Sequence, residues 1–194
     1  MVRLATLDDV DVLAASQARA FYDDPLQVWA LPDDATRLAI LEAIFHAQLG
    51  VVAIPLGASY TDDTCSVGAF WAPPGRWRLP PEEAARLAPV GEITGARYRF
   101  LGIAYEAMAA HHPEEPHWYL AGLGTDPSAQ GRGLATAALQ PVLSRCDEQH
   151  ECAYLESTRE QNVAFYEHRG FVVTGTIEIP ERGPTLWQMW RDPA

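Results

Sequence analysis

The stretch Gln130-Gly131-Arg132-Gly133-Leu134-Ala135 is the most informative segment of this sequence. Residues 118–125, just before it, have the apolar composition of a buried strand, and residues 133–148 show the apolar spacing of a helix. Small residues at a strand-to-helix turn let the backbone approach an anion closely. The free N–H groups and the positive dipole end of the helix then favour a bound phosphate.

One other interpretation of this segment stays open, and two are excluded by its residues. Gly131 and Gly133 are also compatible with a tight turn that binds nothing. The segment is not a P-loop, because no Gly-Lys-Ser/Thr follows at the required spacing. It also departs from the dinucleotide-binding pattern G-x-G-x-x-G, because residue 136 is a threonine.

The charge of the chain limits its partners. Asp and Glu total 26 against 14 Lys and Arg, a formal net charge of −12 over 194 residues. Nucleic acids and anionic membranes favour basic surfaces, so we expect neither as a partner. A cationic substrate would gain from long-range steering, although such acidity also serves solubility alone.

Cysteine and histidine patterns do not predict a metal site. Cys65, Cys146 and Cys152 lack the spacing of a disulfide framework or a metal knuckle. The group His111, His112, Glu114, Glu115 and His117 is interrupted by prolines and lacks regular ligand spacing. The N-terminus has no apolar signal segment, and no uninterrupted run of about 18 apolar residues occurs. We therefore expect a soluble, cytoplasmic protein with no metal.

The hydrophobic pattern predicts one domain, residues 1–194, of α/β or α+β class with a mixed sheet. Strands are predicted at 2–5, 51–55, 66–72, 118–125, 153–156, 171–179 and 186–191. Helices are predicted at 10–21, 34–49, 96–110, 133–148 and 162–169. Pro25 and Gly50 are expected to end the first two helices, and Gly170 the last.

The phosphate-binding turn and the segment after it resemble one known family. Gln-x-x-Gly-x-Ala after a strand resembles the acetyl-CoA pyrophosphate loop of the GNAT superfamily of N-acetyltransferases. The continuation looks like that family's fifth strand and following helix: Leu155-Glu156-Ser157-Thr158, Asn162 and Phe165-Tyr166-Glu167-His168-Arg169-Gly170-Phe171.

Within the superfamily, the resemblance is greatest to puromycin N-acetyltransferase-like members and covers nearly the whole chain. It runs from Val2-Arg3-Leu4-Ala5-Thr6 through Pro113-Glu114-Glu115-Pro116 to Trp187 and Met189. Thr125 stands where valine is common, and Ala135 where glycine is common. Both keep a small or β-compatible residue, so neither change removes the expected cofactor site.

The resemblance implies a GNAT-type mixed, twisted sheet of about six or seven strands flanked by helices, with strands four and five splayed into a V. Acetyl-CoA would bind in the V as the acyl donor. The residues implied to bind it are Leu123, Gly124, Thr125, Gln130, Gly131, Arg132, Gly133, Leu134, Ala135, Thr136, Asn162 and Phe165. The Asn162 side chain is equally suited to capping its own helix.

The resemblance also implies direct attack of an amine on the thioester, with Tyr166 as the general acid. A phenol has a pKa near 10, so it keeps its proton until the thiolate develops. The alternative role for Tyr166 is that of an aromatic side chain packed into the core.

Glu156 is the first candidate for the general base, since a buried carboxylate with a raised pKa suits that work. The alternatives are a carboxylate paired with Arg159 or Arg169, and a water relay to Tyr119 or His117.

The segment Tyr22-Asp23-Asp24-Pro25 with Trp29 lies where members of this family bind their acceptors. Two carboxylates beside aromatic residues suit a cationic amine, and a solvated helix end explains them equally well. Carboxylates at the reacting nitrogen would stabilise its ammonium form, so we place Asp23 and Asp24 at the entrance.

The expected activity is transfer of an acetyl group to the primary amine of a small molecule, by a monomer or homodimer. The alternatives are a protein N-terminal or lysine acetyltransferase and a non-catalytic regulatory module that binds acetyl-CoA.

Overall fold

The computed structural model describes residues 1–194, except for the side chain of Tyr98. Its strands are Val2–Leu4 (β1), Ser59–Asp62 (β2), Val67–Ala72 (β3), His117–Thr125 (β4), Cys152–Ser157 (β5), Val172–Glu178 (β6) and Thr185–Arg191 (β7). They form a seven-stranded sheet in the order β1-β2-β3-β4-β5-β7-β6. β4 and β5 are parallel, and the other neighbours pair antiparallel. The mixed sheet confirms the predicted fold class.

Helices cover both faces of the sheet. They are Val10–Ala20 (α1), Pro25–Ala30 (α2), Asp34–Gln48 (α3), Pro81–Arg86 (α4), Ala88–Thr94 (α5), Tyr98–His111 (α6), Leu134–Gln149 (α7) and Val163–Glu167 (α8). α7 packs on one face, where Leu139 and Val142 contact the main apolar core. On the other face, Leu13 of α1 packs with Phe70 of β3.

Strands β4 and β5 separate because β4 contains one extra residue. They pair from His117 with Cys152 to Leu120 with Leu155 and no further. On the other side of β4, the register with β3 skips Ala121, so this residue forms a β-bulge. A bulge bends and twists its strand, and here it turns the rest of β4 away from β5. The sheet therefore opens into the expected V at Glu156.

The prediction for residues 50–62 is wrong. Gly50 does not end the second helix, which continues as a π-helix over Leu49–Ala53. Residues 51–55 are thus not the expected strand, and β2 lies at Ser59–Asp62 instead. A short apolar run does not distinguish strand from helix by itself. Burial of Leu49 and Ile54 against α1 favours the helix here.

The helical stretch Asp34–Ala53 is more apolar than the sequence pattern indicated. It has 20 residues and a mean hydropathy of 1.3, so by length and composition alone it is able to cross a membrane. In the fold, Leu41, Ile44 and Leu49 of this stretch are buried in the protein core.

Prolines begin three helices that the sequence pattern did not predict. Pro25 starts α2 instead of only ending α1, and α4 and α5 likewise carry proline in their first turn. Proline suits the first helical position, because its missing N–H has no helical acceptor there. Asp24 caps α2 and accepts hydrogen bonds from the N–H groups of Leu26 and Gln27.

Candidate active site

The turn before α7 has the geometry of an anion site. Gly131 and Gly133 both have φ of +75°, which favours glycine, and a Cβ at either position would meet nothing within 4 Å. The first helical hydrogen bond runs from the Ala137 N–H to the Gly133 carbonyl at 3.0 Å. The N–H groups of residues 134–136 therefore precede the helical ladder and remain available as donors.

Arg169 adds positive charge beside this turn. Its guanidinium donates hydrogen bonds to the Thr136 hydroxyl and the Phe165 carbonyl. It also lies over the Phe165 ring, 3.5 Å from the centroid. Burial lowers the pKa of Arg169. The expected cofactor residues did not include this arginine.

The separated end of β4 is fixed by two glutamines. Gln17 of α1 donates to the Gly124 carbonyl at 3.3 Å, and Gln130 donates to the Thr125 carbonyl at 3.2 Å. A Cβ at Gly124 would lie 2.3 Å from the Gln17 oxygen, so α1 approaches β4 closely only because residue 124 is glycine. Leu123 lies on the same edge and packs partly into the core.

Asn162, Phe165 and Tyr166 lie together at α8, after β5. Asn162 occupies the N-cap position, but its side chain makes no capping hydrogen bond within the described residues. Tyr166 is buried, and its ring lies edge-on to Phe165 and Phe171 at centroid distances of 5.2 and 5.9 Å. Burial raises the pKa of Tyr166, nearby Arg169 lowers it, and Asp24 raises it.

Asp23 and Asp24 do not form a pair at the surface. Asp23 is exposed, whereas Asp24 is buried and accepts a hydrogen bond from the Thr158 hydroxyl. Burial raises the pKa of Asp24. The expectation that both carboxylates stand at an entrance is therefore wrong for Asp24, because its role as the α2 cap points it inward.

The two aromatic residues of the expected acceptor segment also separate. The Tyr22 hydroxyl donates to the Asp34 carbonyl at 3.1 Å. The Trp29 indole donates to the Glu181 carbonyl at 3.1 Å, and its ring lies edge-on to Phe100. Tyr22 is thus attached to α3, and Trp29 to α6 and the loop between β6 and β7.

Glu156 lies where β4 and β5 separate, on the face opposite α7. Its side chain is 3% exposed, and its Oε1 atom lies 3.7 Å from His112 Nδ1. No hydrogen-bond donor contacts Oε1 among the described residues. Arg159 and Arg169 donate elsewhere, to the carbonyls of Asp23 and Phe165. The expected ion pair between Glu156 and either arginine is therefore not the arrangement found.

Polar aromatic side chains surround Glu156 on this face. Burial and the nearby Glu156 carboxylate raise the pKa of both Tyr119 and Tyr154. Gln188 of β7 donates to the Tyr154 hydroxyl at 2.9 Å. His117, two residues before Tyr119 on β4, completes this row.

His112 is a residue of this cluster that sequence reasoning missed. Pro113 disfavours helical geometry at the preceding residue, and His112 has extended angles of φ −68° and ψ 132° at the end of α6. The ring stacks on Trp77 with a centroid distance of 3.7 Å. The His-Pro pair signals the helix end, but nothing in the sequence shows that the ring meets Glu156.

The described residues contain no group of three or more His, Cys, Asp or Glu side chains arranged to hold a metal ion.

Comparisons with known proteins agree with one another. The model of the family described as Acetyltransferase (GNAT) family matches residues 70–171. An uncharacterised N-acetyltransferase of Schizosaccharomyces pombe is 34% identical over 66 residues, which are 34% of this chain and 27% of that protein. The match thus spans about a quarter of that curated relative's length.

Solved structures match over almost the whole chain. A structure from Corynebacterium glutamicum, described as histone acetyltransferase HPA2 and related acetyltransferase, is 27% identical with a TM-score of 0.75, and the match covers 100% of this chain and 96% of that one. A Drosophila melanogaster polyamine N-acetyltransferase, described as forming N-acetylagmatine, is 15% identical with a TM-score of 0.59 and 99% coverage of each chain.

Proposed function

The chain belongs to the GNAT acetyltransferase family, and we propose that it is an acetyl-CoA-dependent N-acyltransferase whose acceptor is the primary amine of a small molecule. The observation that carries this proposal is the buried polar cluster around Glu156, at the point where β4 leaves β5. A family member that only binds its cofactor has no need of a buried carboxylate there. We propose one catalytic domain, residues 1–194, that acts in the cytoplasm.

We propose that acetyl-CoA binds in the V between β4 and β5. We propose that the amides of Gln130–Thr136 hold its pyrophosphate and that Leu123–Thr125 and Asn162 hold its pantetheine arm. When bound, it supplies the acetyl group as a thioester. Two observations support this assignment. The space beside Gly131 and Gly133 is free, and the Asn162 side chain makes no capping hydrogen bond.

Tyr166 is proposed as the general acid that protonates the leaving thiolate. Its buried phenol stays protonated through neutral pH, because burial raises its pKa. A high pKa also makes the phenol a weaker acid. The positive charge of Arg169 opposes that effect, so Arg169 is proposed to keep Tyr166 reactive.

Glu156 is proposed as the base that accepts a proton from the amine. It is the first residue of β5 beyond the last pair with β4, so it faces the opening of the V. Its Oε1 atom has no donor among the described side chains and is free to accept a proton.

The proposed acceptor is a cationic or hydrophobic-cationic amine, as in puromycin N-acetyltransferase-like members. The net charge of −12 favours encounter with such a molecule. The polyamine N-acetyltransferase of similar fold forms N-acetylagmatine, a product of a cationic amine. The acceptor would enter between Tyr22 and Trp29, past the exposed Asp23, rather than beside an acidic pair.

Protein amines are the second candidate acceptors. The Corynebacterium structure that matches with 27% identity is described by a histone acetyltransferase name. An N-terminus or a lysine side chain would enter by the same proposed route, between Tyr22 and Trp29.

A screen of amines and peptides with thiol release as the readout tests the proposal. Small cationic amines should release thiol fastest, and Gly133→Trp should abolish both release and thermal stabilisation by acetyl-CoA. Faster release with peptides would favour the second candidate. Stabilisation by acetyl-CoA without release on any acceptor would instead indicate a non-catalytic module.

A further inference from the structure

Acetyl transfer to an ammonium group requires a route for one proton to leave. The amine nitrogen loses two protons as the C–N bond forms. The C–S bond breaks, and one proton ends on the departing sulfur. The second proton must reach solvent in every turnover, although Glu156 itself is buried. The side chains behind Glu156 offer a place to hold that proton until the products leave, and this assignment rests on the proposed acetyl transfer.

Hydrogen bonding fixes the tautomer of His117. Its Nδ1 lies 2.6 Å from the Glu115 carbonyl oxygen, which only accepts, so Nδ1 carries a proton. Burial lowers the pKa of His117, which keeps the ring neutral. Its Nε2 is then an acceptor. Because His112 Nε2 lies 3.0 Å from that atom, His112 Nε2 must be the donor.

With this assignment of the protons, a nitrogen of His112 and an oxygen of Glu156 that both lack a proton face each other. A neutral His112 that is protonated at Nε2 directs the lone pair of Nδ1 at Glu156 Oε1, 3.7 Å away. Both side chains are almost completely buried, with 2% and 3% exposure, so water screens the repulsion poorly. One added proton between the two atoms turns the repulsion into an ion pair or a hydrogen bond.

We propose that Glu156 and His112 form a pair that takes one proton from the acceptor amine and holds it until the products leave. The proton binds at Glu156 and moves to His112 Nδ1, so that His112 becomes an imidazolium ion that faces the Glu156 carboxylate. The Nε2 proton of His112 stays hydrogen-bonded to His117 Nε2, and this contact orients the ring. When the products leave the V, the proton returns to Glu156 and passes to water, which restores the starting state of both side chains.

The other polar groups around the pair do not compete for this proton. Tyr119 and Tyr154 stay neutral, because burial and Glu156 raise the pKa of each. Gln188 is an amide and does not titrate. Trp77 stacks on His112. The Arg78 guanidinium lies over the Trp77 ring, 4.5 Å from the ring centroid.

Two more groups belong to the surroundings of the pair. Tyr105 of α6 contributes to the raised pKa of Tyr119 but is itself exposed. His111 precedes His112, is exposed, and contacts the Ala107 carbonyl through Nδ1. Its position makes His111 the matched control for His112.

The kinetic test compares His112→Gln with His111→Gln. For the wild type, kcat/KM should rise with pH as the pair loses its proton. His112→Gln should lower kcat about tenfold or more, because Glu156 loses the partner that holds its proton. It should also move the rise to lower pH, because an amide donor facing Glu156 stabilises the carboxylate. His111→Gln should change neither. A lower kcat with an unmoved pH profile would overturn the pair.

An NMR titration of the imidazole nitrogens tests the pair without turnover. We expect a neutral His117 protonated at Nδ1, and a His112 titration that moves in Glu156→Gln. An Nε2-protonated neutral His117, or a His112 titration indifferent to Glu156→Gln, would refute the proposal. If the wild type acetylates no amine, the proposed function fails, while this titration still decides whether the pair shares a proton.

Discussion

The two faces of β4 and β5 differ sharply although the strands are shared. The face toward α7 is apolar and buried, and its residues are Trp118, Leu120, Ala153 and Leu155. The opposite face is polar, and its residues are His117, Tyr119, Tyr154 and Glu156. Because side chains alternate along a strand, adjacent residues such as Leu155 and Glu156 lie on opposite faces of the sheet.

The apolar face contributes to the stability of the fold, and the polar face is proposed to contribute to catalysis. Burying apolar surface stabilises the fold by about 25 cal/mol per Å². Burying a carboxylate oxygen without a donor costs free energy, so Oε1 of Glu156 does not contribute to stability. Paired substitutions on the two faces should therefore change different measured quantities.

Tyr166 belongs both to the apolar core and to the proposed catalytic site. Its substitution should have the largest effect on turnover. It packs with the apolar core, yet its hydroxyl is proposed to act in catalysis. Tyr166→Phe should lower kcat by roughly 10²–10⁴-fold and leave acetyl-CoA affinity nearly unchanged. Steady-state kinetics and calorimetric titration measure the two, with Tyr60→Phe on β2 as the control. Unchanged turnover would leave Tyr166 a packing residue.

Leu155→Ala should have the next largest effect, on stability alone. The side chain is 1% exposed within the core between the sheet and α7. Its truncation should lower the free energy of unfolding by about 2–5 kcal/mol, measured by urea denaturation. Val172→Ala on β6, at a position 57% exposed, is the control and should cost less than about 1 kcal/mol. A smaller loss for Leu155→Ala than for the control would contradict the assignment of this face to stability.

Glu156→Gln should show the reverse pattern. The substitution preserves shape but removes the base, so kcat/KM should fall by about 10²-fold. The free energy of unfolding should stay within about 1 kcal/mol of the wild type, because no donor to Oε1 is lost. A large loss of stability with full activity would place Glu156 among the structural residues.

The sequence predicts the elements that local residue patterns determine, and it does not predict those that tertiary packing determines. The turn at Gly131–Gly133, the strands β4 to β7 and α7 follow from local patterns, and the structure has them within a few residues. The pattern of segment 50–62 predicts the wrong element, because packing against α1 decides between strand and helix. The pattern also omits α2, because Pro25 is equally compatible with the end of one helix and the start of another.

The site shows the same limit. Glu156 is identified from its strand and its resemblance to a family motif. Its neighbour His112 is 44 residues away in sequence and reaches it only because α6 ends against the sheet. Likewise, the sequence places Asp23 and Asp24 side by side, but the cap of α2 turns one inward and leaves the other exposed. Such contacts depend on tertiary packing and leave no local signal.

Asp24→Asn should have the smallest effect, and its sign is informative. Asparagine caps helices as well as aspartate, so the hydrogen bonds from Leu26 and Gln27 should persist. Burial raises the pKa of Asp24 above its ordinary value of 3.8, so the folded state binds this proton more tightly than the unfolded state. Wild-type stability is therefore lost as pH rises from 3.8 through the folded pKa, and Asp24→Asn avoids that loss.

Urea denaturation at several pH values measures this difference between wild type and Asp24→Asn. The variant should match the wild type near pH 4 and exceed it in stability at neutral pH. Asp24→Ala should be less stable than Asp24→Asn by about 1 kcal/mol at every pH, because the cap is lost. Asp23→Asn should change nothing, since Asp23 is exposed. If the difference between wild type and Asp24→Asn were independent of pH, the Asp24 carboxylate would not be the buried, proton-binding cap that separates it from its neighbour.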